Sequence, residues 1–110
     1  MNFYVGNKLS DITDDGFNVW FDSNLHDFIC RQSKYIPFNI DAIGDIDPYA
    51  DVIIPKENVS EIIEVCELLL KCEYLHEYED YDEAIEILQE TIEIAKEALA
   101  LNVGLVSSGD

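Results

Sequence analysis

Residues 81–101 read YDEAIEILQETIEIAKEALAL, and the spacing of their apolar side chains predicts a long amphipathic helix. An aspartate, Asp80 or Asp82, is expected to cap its start, and Asn102 with Gly104 to end it. An inner seam recurs every three or four residues at Ile85, Leu88, Ile92, Ala95 and Leu99, extended by Ile87, Ile94, Ala98 and Leu101. Such a seam must pack on other elements, so this helix organises the fold.

Five glutamates recur along the same helix at steps of three, four, three and four residues. They are Glu83, Glu86, Glu90, Glu93 and Glu97. We call these residues the acidic ridge, because that spacing aligns side chains on one helix face. Like charges at these offsets destabilise a helix by roughly 0.2–0.5 kcal/mol per pair. Lys96 is the only base between Glu73 and Glu97, so the cost of the ridge calls for a reason.

A second helix is predicted over residues 57–74, just before the first. Its apolar face is broad, which predicts a helix covered on two sides. The members of that face are Val59, Ile62, Ile63, Cys66, Leu69 and Leu70, widened by Val65, Leu68, Cys72 and Leu75. Because the linker to residue 81 is short, the two helices are expected to form an antiparallel αα-hairpin.

The first third of the chain reads as strands and turns. Asp14-Asp15-Gly16 is a turn signal, and a β-hairpin is predicted around residues 8–21, with Phe17, Val19 and Phe21 on one face. A short helix is predicted over residues 24–34, capped by Asp22-Ser23-Asn24.

Residues 36–55 contain all three prolines and predict a long ordered loop, while residues 103–107 can return as a terminal strand. The predicted fold class is therefore α+β in one domain: an N-terminal β-hairpin or small antiparallel sheet, one short helix, the loop and the C-terminal αα-hairpin.

Charge is the unusual feature of the composition. The 110 residues include 24 acids and 6 bases, for a formal net charge of −18, yet 48% of the residues are hydrophobic. This apolar fraction indicates a folded protein. The negative field repels nucleic acid and anionic membrane surfaces and attracts basic partners. We therefore expect no nucleic-acid or membrane partner.

Neither a secretory signal nor a membrane span is visible in the sequence. Three cysteines, Cys30, Cys66 and Cys72, form an odd set without a CxxC motif. Free thiols in a reducing cytoplasm are the expected state, so we predict a cytoplasmic protein.

The acids and tyrosines of residues 74–97 are candidates for binding a basic protein partner. They are Tyr74, Tyr78, Glu79, Asp80, Tyr81, Asp82, Glu83, Glu86, Glu90, Glu93 and Glu97. Carboxylates would steer the partner and tyrosines would anchor it. The alternative is a solvated outer face. Ordinary outer faces, however, mix acids with lysines.

Catalytic and metal-site patterns are weak, so neither an enzyme nor a cofactor or metal is expected. Glu73 and His76 form one E-x-x-H, whereas di-iron bundles use two plus further glutamates. Residues 11–22 mimic the spacing of a calcium loop, but Asp22 stands where a bidentate Glu is usual, which favours a hairpin turn. A cation at Asp41, Asp45, Asp47 and Asp51, or a docking role for these loop aspartates, stays open.

The chain ends in ALALNVGLVSSGD at residues 98–110, where a long acidic helix closes with N-x-G-L-V-S-x-G-D. With the size and charge, this ending resembles small acidic immunity proteins of bacterial polymorphic-toxin and contact-dependent growth-inhibition systems. The resemblance implies a cytoplasmic protein that binds and blocks a cognate toxin. Those toxins are frequently nucleases, whose clefts are basic because they hold phosphates.

Two other functional hypotheses remain open beside the immunity protein. One is a non-catalytic adaptor whose αα-hairpin docks on another protein through apolar residues, and the other is a nucleic-acid mimic that binds a basic host or phage protein. The salt dependence of binding distinguishes the adaptor from the immunity protein, because electrostatic binding weakens with ionic strength and hydrophobic docking does not. The sequence leaves self-association open.

Overall fold

The computed structural model describes residues 1–12 and 16–109, where four strands and four α-helices follow one another in an α+β order. The strands are β1 (Asn2–Val5), β2 (Asn18–Trp20), β3 (Val52–Ile54) and β4 (Leu105–Ser108). The helices are α1 (Ser23–Gln32), α2 (Asp41–Gly44), α3 (Lys56–Leu70) and α4 (Tyr81–Ala100), with 3₁₀ turns at Leu9–Asp11 and Glu73–Glu77. The predicted fold class is confirmed.

The strands form one antiparallel sheet in the order β2-β1-β4-β3. Phe3 lies opposite Val19 on one side and Ser107 on the other, which fixes the register of the centre. Successive strand residues point to opposite faces. Phe3, Val19 and Leu105, all at most 1% exposed, therefore mark the inner face, on which α4 packs.

The core forms between this inner face and the helices. Phe3 and Phe21 meet edge to face with ring centroids 6.0 Å apart, and both are fully buried. Such a pair contributes about 0.5–1.5 kcal/mol beyond the burial of its area. The helical side of the core includes Leu25 and Ile29 of α1 and Ile62 of α3.

The outer face of the sheet carries no charged side chain among its described strand residues. They are Asn2, Tyr4, Asn18, Trp20, Ile53, Val106 and Ser108. Trp20 is 49% exposed and Ile53 48%, while Val106 is buried between Tyr4 and Ile53 outside the core cluster. The acids among the described residues therefore lie outside these strands.

The predicted αα-hairpin is present, and α3 packs against both α4 and α2. At the end of α4, Asn102 takes a positive φ of 58°, and Val103 N–H donates to Ala98 C=O at 3.0 Å. With the Asn102 N–H bond to Leu99 C=O, this is a Schellman motif, so the expected stop at Asn102 is confirmed.

The seam of α4 is rotated from the predicted one. Leu88 and Ala95 are buried as expected, but Ile85 and Ile92 are half-buried and Leu99 is 41% exposed. The buried set is Ala84, Ile87, Leu88, Thr91, Ile94, Ala95 and Ala98. The reason is that α4 packs on β1 and β2 as well as on α3, so its buried side is shared between sheet and helix.

The predicted hairpin at residues 8–21 is wrong in its first strand. β2 pairs with β1, and residues 9–11 form a 3₁₀ turn instead. Val19 and Phe21 are buried as expected, but Phe17 is 49% exposed because it precedes the paired part of β2. The turn predicted at Asp14-Asp15 lies outside the described residues.

The loop predicted over residues 36–55 is wrong in part, because α2 and the edge strand β3 lie within it. The other predicted elements hold with shifted ends. The short helix is α1, where Asp22 caps by accepting from Asn24 N–H at 2.9 Å, and the terminal strand is β4.

Candidate protein-docking site

The acidic ridge lies on α4 with all five glutamate side chains exposed, as the spacing predicts. The opposite side of the helix is buried, so the carboxylates face solvent while Ile87 and Ile94 pack in the core. The ridge is therefore a continuous row of negative charge, held in place by the packing beneath it.

No ridge carboxylate takes part in an ion pair or hydrogen bond within residues 1–12 and 16–109. The ion pair found in that part of the chain joins Arg31 Nε to Asp27 Oδ2 on α1 at 2.9 Å. The ridge charges are thus left for solvent, counter-ions or another molecule.

The acids at the start of α4 have a structural role of their own. Asp82 and Glu83 stand in its first turn, and Asp80 is the N-cap residue without a side-chain capping bond. Negative side chains in a first turn stabilise a helix by about 0.3–1 kcal/mol through the macrodipole. Exposure of Asp82 and Glu83 is therefore weaker support for docking than exposure of the later glutamates.

A base that the local sequence does not reveal lies beside these acids. Arg31 of α1 lines a cleft of about 290 Å³ together with Glu77, Glu79 and Asp80. Lys96 is the only base of this stretch in the sequence, but the fold brings a second one across from α1. Arg31 is already ion-paired with Asp27, so the cleft keeps an excess of negative charge.

Tyr74 and Tyr81 are placed differently by the fold. Tyr74 is 36% exposed in the second 3₁₀ turn, with its ring 6.2 Å from that of Tyr35. Tyr81 is half-buried and stacks on His76 at 4.3 Å. Tyr74 is therefore the more accessible of these two candidate anchors, and the ring of His76 is covered on one side by that of Tyr81.

Tyr78 is half-buried, and its ring lies 5.1 Å from that of Phe28. Burial raises the pKa of its phenol, and nearby carboxylates raise it further: Asp22, Asp80, Glu83 and Glu79. The phenol therefore stays neutral at physiological pH and remains a hydrogen-bond donor. Four carboxylates act on this one hydroxyl, so negative charge converges here from α1 and α4.

A second row of exposed acids runs along α3. Its members are Glu57, Glu61, Glu64 and Glu67. These glutamates follow one another at steps of four, three and three residues, a spacing that places side chains on one helix face. The prediction for this helix concerned only its apolar face, so this row was missed. Both long helices therefore present a row of carboxylates to solvent.

Two of the four aspartates in residues 41–51 accept hydrogen bonds from backbone N–H groups. Asp47 accepts a backbone N–H at 2.9 Å, and Asp51 accepts the N–H of Gly109 at 2.9 Å. Asp41 and Asp45 make no side-chain hydrogen bond or ion pair within the described chain. Asp41 and Asp45 therefore keep both carboxylate oxygens free of bonds within the described residues, whereas Asp47 and Asp51 each use Oδ1.

In residues 11–22, which mimic the spacing of a calcium loop, the carboxylates of Asp11 and Asp22 also accept hydrogen bonds from backbone N–H groups. Asp11 accepts two backbone N–H groups at 2.9 and 3.2 Å, while Asp22 caps α1. Thr13 and Asp15 lie outside the described residues. In the part of the chain that is described, no three His, Cys, Asp or Glu side chains are grouped to hold a metal ion.

His26 and Cys30 come together on α1 in a structural cluster. His26 Nε2 lies 3.1 Å from Ile43 C=O, while Cys30 Sγ lies 3.9 Å from His26 Nδ1 and 3.7 Å from Gly44 C=O. Burial, with the charges of Asp27 and Asp45, raises the pKa of the Cys30 thiol. A nucleophilic cysteine needs a lowered pKa, which is the opposite shift. The contacts of His26 with Ile43 and of Cys30 with Gly44 tie α2 to α1.

Comparison with known protein families, curated proteins and solved structures found no match. None of the helices in the described residues is long and apolar enough to cross a bilayer. The site is thus an exposed carboxylate surface on the helical layer of an α+β protein.

Proposed function

We propose that this protein is a cytoplasmic immunity protein that binds a cognate basic toxin, such as a nuclease domain, and neutralises it by stoichiometric binding. The observation that supports this proposal is the acidic ridge, whose five glutamates are exposed and unpaired among the described residues. A chain that accepts like-charge repulsion at four successive helix offsets gains if a cationic surface relieves it.

Electrostatics gives the proposed mechanism. A nuclease cleft is basic because it holds phosphates, so a row of carboxylates can occupy it in place of the substrate backbone. Opposite potentials accelerate association toward roughly 10⁸–10⁹ M⁻¹s⁻¹ at low salt. The protein would act by occupying the partner, with no chemical step of its own.

Charge reversal on the ridge tests the proposal. The double variant Glu86→Lys/Glu90→Lys is compared with Glu57→Lys/Glu67→Lys, which makes the same charge change on exposed positions of α3. Binding to the product of the neighbouring gene is measured by calorimetry. We expect the ridge variant to weaken binding at least about tenfold and the control to change it by less than about threefold. Equal affinities for both variants and the natural chain would contradict the proposal.

A second candidate is an adaptor that docks through the sheet instead of the αα-hairpin, and it is favoured by the uncharged outer face of the sheet. Trp20 is the one tryptophan of the sequence and stands half-exposed on that face. 5-Fluorotryptophan incorporated into this chain alone therefore reports whether a partner covers the sheet. The inhibitor proposal expects an unchanged ¹⁹F resonance on binding. An adaptor would shift that resonance and would bind equally well in about 0.5 M salt.

A further inference from the structure

A groove runs beside α3, between this helix and residues 37–46. Its floor is apolar: Phe38, Ala42 and Leu68 are half-buried, and Val65 is buried. The central part has a volume of about 320 Å³. Leu68 is not part of the core cluster or of the layer packed against it, so its side chain is available to a second molecule.

The rim of the groove is negative along its central part and toward β3, whereas Lys71 and Glu73 both line the depression that adjoins Phe38 and Leu68. Asp41, Glu61 and Glu64 line the central part with exposed side chains. None of the three has an ion pair or a side-chain hydrogen bond in residues 1–12 and 16–109. An apolar floor under unpaired carboxylates complements a long cationic side chain, whose methylene stem is apolar and whose head is charged.

The groove continues into a second depression of about 280 Å³ that shares Asp41, Ala42 and Glu61 and reaches β3. All three residues of β3 line it. Because successive strand residues point to opposite faces, a depression that touches all three lies at the edge of the strand. β3 is an edge strand of the sheet, so a neighbouring backbone can pair there.

We propose that this groove is the docking site for an extended, arginine- or lysine-bearing segment of a protein partner. The segment would lay its cationic stems on Phe38, Ala42 and Leu68 and place their charged ends among the rim carboxylates. Its backbone would run toward the free edge of β3. This inference rests on the proposed function, because it gives the basic partner a chemical form and a place.

Peptide titration tests the site directly. The ¹⁵N-labelled protein is titrated with a synthetic peptide of about ten residues that alternates arginine with valine, and with one that alternates arginine with glycine. We expect the valine peptide to bind at least about fivefold more tightly, with amide shifts concentrated in residues 38–46 and 52–68. Equal affinities, or shifts confined to the acidic ridge, would overturn the proposal.

Backbone pairing has its own readout. Isotope-edited infrared spectroscopy of a ¹³C=O-labelled valine peptide should show an amide I band at a β-strand frequency when bound. A helical or unstructured band in the bound peptide would overturn the extended mode.

Two variants separate the rim from general charge. Glu61→Lys/Glu64→Lys should weaken valine-peptide binding at least about tenfold, whereas Glu57→Lys/Glu67→Lys on the same helix should change it by less than about threefold. Leu68→Asn should reduce valine-peptide affinity to that of the glycine peptide. Amide spectra and thermal unfolding confirm that each variant is folded. Equal loss from both charge pairs would overturn the groove.

The native partner distinguishes this inference from the proposed function. Loss of binding through Glu86→Lys/Glu90→Lys but not through Glu61→Lys/Glu64→Lys would overturn the groove and leave the inhibitor standing. Loss through the groove pair supports the site. If neither charge-reversal variant changes binding of the native partner, both the groove and the inhibitor proposal would be overturned.

Discussion

Polar groups buried on α1 show how single residues fix the position of a neighbouring element. His26 is 6% exposed, and its Nε2 faces the carbonyl of Ile43. We infer that Nε2 carries the proton and donates it to that carbonyl, while Cys30 donates its single thiol proton to Gly44 C=O and its Sγ lies 3.9 Å from Nδ1. Each hydrogen bond of this kind contributes about 0.5–1.5 kcal/mol. The cluster therefore sets α2, and with it one wall of the groove, against α1.

Cys30 should react slowly with alkylating reagents. Burial and the negative charges of Asp27 and Asp45 raise its pKa, so at any pH below that value the thiolate fraction is smaller than for an ordinary cysteine. Asp27→Asn removes one of these charges, lowers the pKa and should speed iodoacetamide labelling at pH 8 several-fold. Peptide mass spectrometry measures the rate at each cysteine.

The control for this labelling is Glu67→Gln, which removes a charge that does not act on Cys30. Buried Cys66, whose pKa burial also raises, should stay unlabelled in the native protein. A Cys30 rate equal to that of the unfolded chain, or unchanged by Asp27→Asn, would contradict this account.

At the scale of elements, the two long helices combine an apolar interior with an acidic exterior. α4 keeps seven residues buried in its inner seam while the ridge repels itself outside. Burial of a single large aliphatic side chain contributes about 1.5–3 kcal/mol, more than one repulsive pair costs. Packing thus holds in place a charge pattern that an isolated helix would resist.

Neutralising the ridge should stabilise the fold. Glu86→Gln/Glu90→Gln/Glu93→Gln removes the four like-charge pairs, each worth roughly 0.2–0.5 kcal/mol, so the free energy of unfolding should rise by about 1–2 kcal/mol at low salt. Urea unfolding followed by circular dichroism measures this difference.

Salt provides the internal control for the ridge variant. In about 1 M NaCl the Debye length is near 3 Å, so the natural chain should gain stability and the difference should nearly vanish. An unchanged free energy of unfolding at low salt would show that the ridge charges do not interact. Weaker partner binding together with higher stability would separate function from folding.

At the scale of the whole molecule, the sheet joins distant parts of the chain. β1 and β4 form its centre, so Asn2 lies opposite Ser108, and β4 also pairs with β3. Gly104 permits this closure, because a Cβ there would collide with the backbone carbonyl of Ile54. The fold therefore depends on pairing that no local segment specifies.

A pair of substitutions on β4 tests the two faces of this sheet. Leu105 is fully buried on the inner face, whereas Ser108 is half-buried on the outer face. Leu105→Asp buries an unpaired charge at a cost of several kcal/mol, comparable with the whole stability of about 5–15 kcal/mol. We expect it to prevent folding. Ser108→Asp, the matched control, should keep a cooperative thermal transition, and failure of both would contradict the assigned faces.

The sequence by itself determined the three longer helices of this protein, α1, α3 and α4, and the charge they display. Helical hydrogen bonds and side-chain contacts are local, so periodicity in residues 57–74 and 81–101 was enough to predict α3, α4 and the ridge. Caps are local for the same reason, and both Asp22 and Asn102 act where the sequence placed them.

Only the tertiary structure decided which strands pair, the rotation of the α4 seam and the surroundings of the acids. β3 has three residues, too short for a periodic signal, and β2, which the sequence indicated as a strand, pairs with β1 instead of closing a hairpin within residues 8–21. Arg31 lines one cleft with Glu79, and α2 forms a groove with α3, because packing joins residues far apart in the chain. Contacts of that kind arise from the burial of the whole core, and no local stretch of sequence encodes them.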